Sequence, residues 1–217
     1  MTPAGRRDRL EHAVLYLCMP LMPDLDTFLE AVLAGGVDIV QLRDKHASAE
    51  AQLRVAPRFR AACDRHDALF VINDDPHLAV QGRADGIHVG QDDMAPAMVR
   101  DIVGQDLLIG RSTHSREQID VAQTESVDYF AVGPVNPTPT KQGRAGVGLD
   151  PLRHASAVAT MPWFVTGGMA PDTAAPVLAA GASRLVVVRA LTQAHDPRAT
   201  AQQLSRLLRA SRVDPTR

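Results

Sequence analysis

Eight short apolar runs, each followed by an amphipathic stretch or by room for one, recur along the whole chain. They span residues 14–18, 39–43, 69–72, 86–89, 107–110, 129–132, 163–166 and 185–188. Their short length and their Val, Ile and Leu content mark strands buried on both faces of a parallel sheet. The intervening segments carry helix signals. Residues 26–34 stop at Gly35-Gly36, and 49–66 place Leu53, Ala56, Phe59, Ala62 and Cys63 at helical spacing, with Pro57 a point where that helix can kink. Residues 115–125 open on a serine cap with an acid in the first turn, 172–180 end at Gly181, and 197–210 form the last helix. An open, doubly wound sheet uses the same alternation, but a count of eight favours a closed (β/α)8 TIM barrel with its active site at the carboxyl ends of the strands.

No linker or low-complexity segment divides the 217 residues, 45% of which are hydrophobic, so one core and one domain are expected. We divide the chain into an N-terminal extension (1–12), the barrel (13–210) and a C-terminal tail (211–217) that frays beyond Arg209. With a net charge of −2, dispersed basic residues and 4% aromatics, the chain lacks the signature of a nucleic-acid binder. The first residues, MTPAGRRDRLEHA, have no apolar signal region and no stretch reaches membrane length, which points to a cytoplasmic chain with no membrane partner. Cys18 and Cys63 read as buried thiols, not as a disulfide or a metal pair. The sequence is compatible with a homo-oligomer and does not specify one.

Function is sought at the strand ends. After the second strand, Gln41-Leu42-Arg43-Asp44-Lys45 alternates so that Gln41, Arg43 and Lys45 share a face, giving an amide, a guanidinium and an ammonium suited to a pyrophosphate. A surface Arg–Asp pair is the ordinary alternative. After the third strand, Asn73-Asp74-Asp75 offers adjacent acids, for which Asn73 or Asp74 capping a helix near Pro76 is, taken alone, the stronger explanation. After the fourth, Gly90-Gln91-Asp92-Asp93 repeats the pattern before Ala95-Pro96. Acids on neighbouring strand ends would supply hard oxygen ligands for Mg2+. His88 is expected inside the barrel and not on a metal. After the fifth strand, Gly110-Arg111-Ser112-Thr113-His114 pairs a serine with a histidine, yet no G-x-S-x-G elbow is present.

The sixth strand leads into Gly133-Pro134-Val135-Asn136-Pro137-Thr138-Pro139-Thr140-Lys141, stiffened by three prolines. No carboxylate occurs from Gly133 to Val147, whereas Lys141 and Arg144 do, so this loop is suited to an anion. Gly167-Gly168 after the seventh strand and Val188-Arg189 after the eighth occupy places that often bind phosphate in such barrels. Two anion demands emerge: a pyrophosphate near Gln41, Arg43 and Lys45, and a monophosphate near Thr138, Thr140 and Gly168. A transferase that displaces pyrophosphate fits both.

Taken in order, these motifs resemble the thiamine phosphate synthase family over nearly the whole chain. The resemblance implies a TIM barrel that joins a pyrimidine methyl diphosphate to a thiazole phosphate, carboxylated or not, giving thiamine phosphate and pyrophosphate with Mg2+ as cofactor. It assigns Gln41, Leu42, Arg43, Asp44, Lys45, Asn73, Ser112 and Lys141 to the pyrimidine diphosphate, with Lys141 and Ser112 catalytic. It assigns Asp74 and Asp93 to the metal, and Thr138, Thr140, Gly168, Val188 and Arg189 to the thiazole phosphate. Arg189 stands where many relatives have serine. The alternatives are a related thiazole tautomerase, which tends to carry histidine in place of Pro134, and a non-catalytic phosphate-binding barrel.

Overall fold

In a computed structural model, described here for residues 1–137 and 145–213, the chain closes into a parallel eight-stranded barrel in sequential order. The strands are β1 (Leu15–Met19), β2 (Ile39–Leu42), β3 (Leu69–Asn73), β4 (Gly86–Val89), β5 (Leu108–Thr113), β6 (Tyr129–Val132), β7 (Trp163–Val165) and β8 (Leu185–Val187). The helices are α1 (Pro3–His12), α2 (Leu25–Ala34), α3 (Ala49–Arg65), α4 (Pro76–Gln81), α5 (Pro96–Val103), α6 (Arg116–Ala122), α7 (Asp150–Val158), α8 (Ala174–Ala179), α9 (Arg189–Thr192) and α10 (Pro197–Val213). Helix α3 runs through the exposed Pro57, and α10 continues past Ala210, where the sequence suggested an end, to Val213.

Strand alternation divides the core in two. Leu17, Val40, Phe70, Ile87, Ile109, Phe130, Val165 and Val187 face the helices, whereas Tyr16, Ile39, Val71, Leu108, Tyr129, Phe164 and Val186 fill the barrel. Cys18 and Cys63 are both buried, as expected. Strand β5 runs three residues beyond the Gly110 end read from the sequence. Gly110 is not a terminator: a Cβ there would lie 2.1 Å from Tyr129 Cζ and 2.6 Å from His88 Nδ1. Glycine is needed so that two ring-bearing side chains fit beside it inside the barrel. The consequence is functional, because Ser112 lies on a strand and not on a loop.

The amino-terminal mouth is closed by α1, which Thr2 caps by accepting the Gly5 N–H and Pro3 opens. Leu10 packs into the barrel interior below Tyr16. The aspartates preceding β2, β4 and β6 lock this end. Asp38 accepts from the Val14 and Leu15 N–H groups at 2.8 and 3.0 Å and from Arg209 at 2.6 Å. Asp85, 1% exposed, accepts from the Phe70 N–H, Arg6 and Arg60. Asp128 accepts from the Ile109 N–H, Arg7 and Arg100. Before β8 the charge is reversed: Arg184 donates to the Ala13 and Glu11 carbonyls at the end of α1.

Candidate active site

A cavity of about 1150 Å3 opens at the carboxyl ends of the strands. Residues assigned from sequence converge on it from six strand ends: Gln41, Arg43, Asp44, Lys45, Asn73, Asp74, Asp93, Ser112, Gly168, Val188 and Arg189. Leu42 does not; its side chain is fully buried among helix-facing residues. Thr138, Thr140 and Lys141 lie outside the described residues.

The run after β2 divides by role. Gln41, Arg43 and Lys45 line the cavity as alternation requires, although regular strand pairing ends at Leu42. Asp44 also borders it, but its carboxylate accepts from the Leu21, His46 and Ala47 N–H groups at 3.0–3.1 Å. It therefore shapes two loops and forms neither a surface pair with Arg43 nor a free acceptor. Gln41 is 4% exposed and its Nε2 has no partner among the described residues. A buried amide N–H without an acceptor costs about 1–3 kcal/mol, so one aimed into a cavity is suited to an incoming acceptor.

The acids after β3 and β4 are not helix caps in the way the sequence allowed. Asp75 caps α4, accepting from the His77 and Leu78 N–H groups, while Ala95 stands at the start of α5 with no side-chain cap. Asp74 takes a left-handed backbone conformation with φ 64°, which only Gly and occasionally Asn or Asp adopt readily. Its carboxyl is hydrogen-bonded to that of Asp93. Burial first, then the hydrogen bond and charge of Asp93, push its pKa up to about 6, with Lys45 and Arg43 partly opposing. Lys45 Nζ stands 4.0 Å from Asp74 Oδ2, too loose to neutralise the pair. Asp93 Oδ2 also accepts the Gly90 N–H at 2.7 Å.

Two carboxylates held together in this way fit a divalent cation, which would relieve the repulsion that raises Asp74. Among the described residues no group of three His, Cys, Asp or Glu could hold a metal. A divalent ion held by Asp74 and Asp93 would have to complete its shell with phosphate oxygens and water.

Ser112 has a histidine partner, but not the one nearest in sequence. His88 Nε2 lies 2.9 Å from Ser112 Oγ, and His88 Nδ1 lies 3.3 Å from the Tyr129 hydroxyl. The Tyr129 hydroxyl in turn lies 3.0 Å from that of Tyr16. Burial pushes both phenols well above their ordinary range, so they remain neutral hydrogen-bonding groups. His88 thus sits inside the barrel as expected. The sequence does not show the chain Tyr16–Tyr129–His88–Ser112; Gly110, beside two of its rings, is its local sign. His114 turns instead to the Gly133 carbonyl at 2.5 Å.

Across the cavity the β6 and β7 ends are stitched together. Val135 donates to the Thr166 carbonyl, and the Asn136 side chain donates to the Gly167 carbonyl. A Cβ on Gly167 would stand 2.4 Å from Val135 N, so this glycine is there for packing. Gly168, with φ 73°, borders the cavity, and Thr173 fixes its carbonyl at 2.7 Å. Pro134 also lines the cavity and has no proton to transfer.

A family model described as "Thiamine monophosphate synthase" matches residues 15–191. The chain is 50% identical to the thiamine-phosphate synthase of Thermobifida fusca over 94% of its length and 96% of that protein. It is 47% identical to the thiamine-phosphate synthase of Streptomyces avermitilis over 95% of its length and 99% of that protein. Its fold superposes with a TM-score of 0.84 on a thiamine phosphate pyrophosphorylase from Pyrococcus furiosus, at 28% identity, covering 94% of this chain and 98% of the other.

Proposed function

The chain belongs to the thiamine monophosphate synthase family, and we propose that it makes thiamine phosphate by joining a pyrimidine methyl diphosphate to a thiazole phosphate. The substrates in this reading are 4-amino-2-methyl-5-(diphosphooxymethyl)pyrimidine and 4-methyl-5-(2-phosphooxyethyl)thiazole, the latter carboxylated or not. The bond from the pyrimidine methylene to the diphosphate oxygen breaks, and its electrons leave with pyrophosphate. The thiazole nitrogen lone pair then forms the new C–N bond, and where the thiazole is carboxylated its ring–carboxyl bond also breaks and CO2 leaves. The electron-rich aminopyrimidine spreads the developing positive charge, so no covalent enzyme intermediate is needed.

The observation that carries this reading is the joint placement of cations, an unpartnered buried amide and a carboxylate pair in one cavity. Arg43 and Lys45 offer charge to the diphosphate. Gln41, Asn73 and Ser112 offer hydrogen bonds that orient the pyrimidine, and His88 fixes the Ser112 hydroxyl. Bound by Asp74 and Asp93, Mg2+ would supply further positive charge to the leaving oxygens. Lys141 is assigned to the same leaving group. Thr138 and Thr140 are assigned to the thiazole phosphate with Gly168, Val188 and Arg189. We read the chain as a cytoplasmic enzyme acting on small phosphorylated molecules; no helix among the described residues is long and apolar enough to cross a membrane.

The test is to mix both precursors with Mg2+ and the purified chain. Thiamine phosphate and pyrophosphate should accumulate in equal amounts, and only when both precursors are present. No product, or isomerisation of the thiazole alone, would overturn the assignment.

A further inference from the structure

Arg111 is a buried cation on the wrong side of its strand for substrate. Strand β5 turns Gly110 and Ser112 into the barrel and Ile109 outward, so Arg111 faces the helix layer, 8% exposed. Its Nη1 donates to the Gly90 carbonyl at 2.6 Å, and its Nε stands 3.4 Å from Glu125 Oε2. The N–H of Gly90, in the preceding peptide unit, donates to Asp93 Oδ2 at 2.7 Å. Asp93 N also points back to the Gly90 carbonyl, at 3.4 Å. Gln91 adds a second brace, donating to the Ser112 carbonyl at 2.6 Å. Gly90 thus links the guanidinium, at its carbonyl, to the Asp93 carboxylate, at its N–H, across the two peptide units that flank its Cα.

From this geometry we infer that Arg111 is a positioning residue for the divalent cation. It holds the Gly90 backbone so that the Asp93 carboxylate stays beside Asp74. The inference rests on the assignment of Asp74 and Asp93 to the metal made above. The Gly90 N–H is the group bonded directly to the ligand, and losing such a partner commonly weakens metal affinity about 10- to 100-fold; Arg111 acts one step further out, through a charge-assisted hydrogen bond that fixes the Gly90 backbone. Glu125 neutralises the guanidinium where it is buried but does not touch Gly90, so the two contacts of Arg111 are separable.

The experiment titrates Mn2+ alone into the native chain and follows free Mn2+ by electron paramagnetic resonance. The same titration is run on Arg111→Met, Arg111→Lys, Glu125→Gln and Asp93→Asn, with thermal melts confirming that each is folded. Arg111→Met should raise the Mn2+ dissociation constant about 10-fold, the low end of the range for groups bonded directly to a ligand. Arg111→Lys should recover part of the loss, and Glu125→Gln should bind as the native chain does. In turnover, Arg111→Met should raise the metal concentration needed for half-maximal rate while kcat at saturating metal is retained. Native-like Mn2+ binding by Arg111→Met, with Asp93→Asn defective, would overturn the inference and leave the metal assignment standing. An equal loss in Glu125→Gln would also overturn it, because charge pairing and not the Gly90 contact would then be responsible. Failure of the native chain to bind Mn2+, or equal binding by Asp93→Asn, would overturn both.

Discussion

Asp85 at the amino-terminal mouth and Asp74 at the carboxyl-terminal mouth are both aspartates at strand ends of one barrel, yet their surroundings are opposite. Asp85 is enclosed by Arg6, Arg60 and a backbone N–H. Asp74 faces a second carboxyl group, with its nearest ammonium 4.0 Å away and a backbone φ of 64°. The same contrast holds around each rim. Below, Asp38, Asp128 and Arg184 each meet two or three partners supplied by neighbouring strands and by helices. Above, the Gln41 amide has no partner among the described residues and the acidic pair repels. Matched charge at one end holds the barrel shut. Unmatched charge at the other end is held ready for ligands, at a cost in stability that strained functional sites commonly carry.

The contrast is broken most severely at the lower rim. Asp85→Asn strips the shared partner from two arginines in a site that is 1% exposed, and removing one member of such a buried network costs about 3–5 kcal/mol. A large drop in the urea midpoint is expected, with kcat at saturating substrate little changed below the transition. Unchanged stability would mean that this rim does not hold the fold.

At the upper rim, Asp93→Asn is expected to lower metal-supported kcat about 100-fold or more, since one group stabilising developing charge is worth about 3 kcal/mol. Its melting temperature should not fall. Lys141→Ala, which removes a single charge at the leaving group, should lower kcat by at least about 10-fold with both substrates saturating. Unchanged turnover would remove Lys141 from the mechanism.

A smaller and opposite effect concerns stability against pH in the metal-free chain. The unfolded Asp74 carboxyl ionises near its ordinary value of 3.8, whereas the folded one ionises near 6. Between these values the folded state binds the extra proton. Stability from this group is therefore present below about pH 4 and is lost as pH rises through 6. Allowing for solvent screening, the loss is about 1–2 kcal/mol. Melting at pH 5.5 and 7 with a chelator should show this gain on acidification, and Asp74→Asn should abolish it. Added Mn2+ or Mg2+ should compete with the proton and reverse the trend.

The upper rim was the more legible end in the sequence. Alternation alone placed Gln41, Arg43 and Lys45 on one face, and the acids after β3 and β4 stood out because they recur at the ends of neighbouring strands. That Asp75 caps α4, in place of the Asn73 or Asp74 expected from the sequence, was not visible, since all three can cap; the left-handed backbone at Asp74 goes with the shift. The lower rim was hardly legible. Helix α1 read as an extension because only Leu10 is buried, and its arginines meet acids 79 and 121 residues away. Thr2-Pro3, a cap followed by proline, was the available sign of that helix. Arg111 is not legible in the sequence, because Gly110 looks like a strand end and leaves Arg111 and Ser112 outside the alternation that sets them on opposite faces of β5.

One paired measurement tests the division of the two rims most directly: thermal melting and kcat on Asp74→Asn and Asp85→Asn, made side by side at pH 7. The account predicts that Asp74→Asn melts at or above the native temperature and loses most of its turnover. It predicts that Asp85→Asn melts well below the native chain while its folded fraction turns over normally. The reverse pattern, with Asp74→Asn destabilised and active or Asp85→Asn stable and inactive, would contradict it.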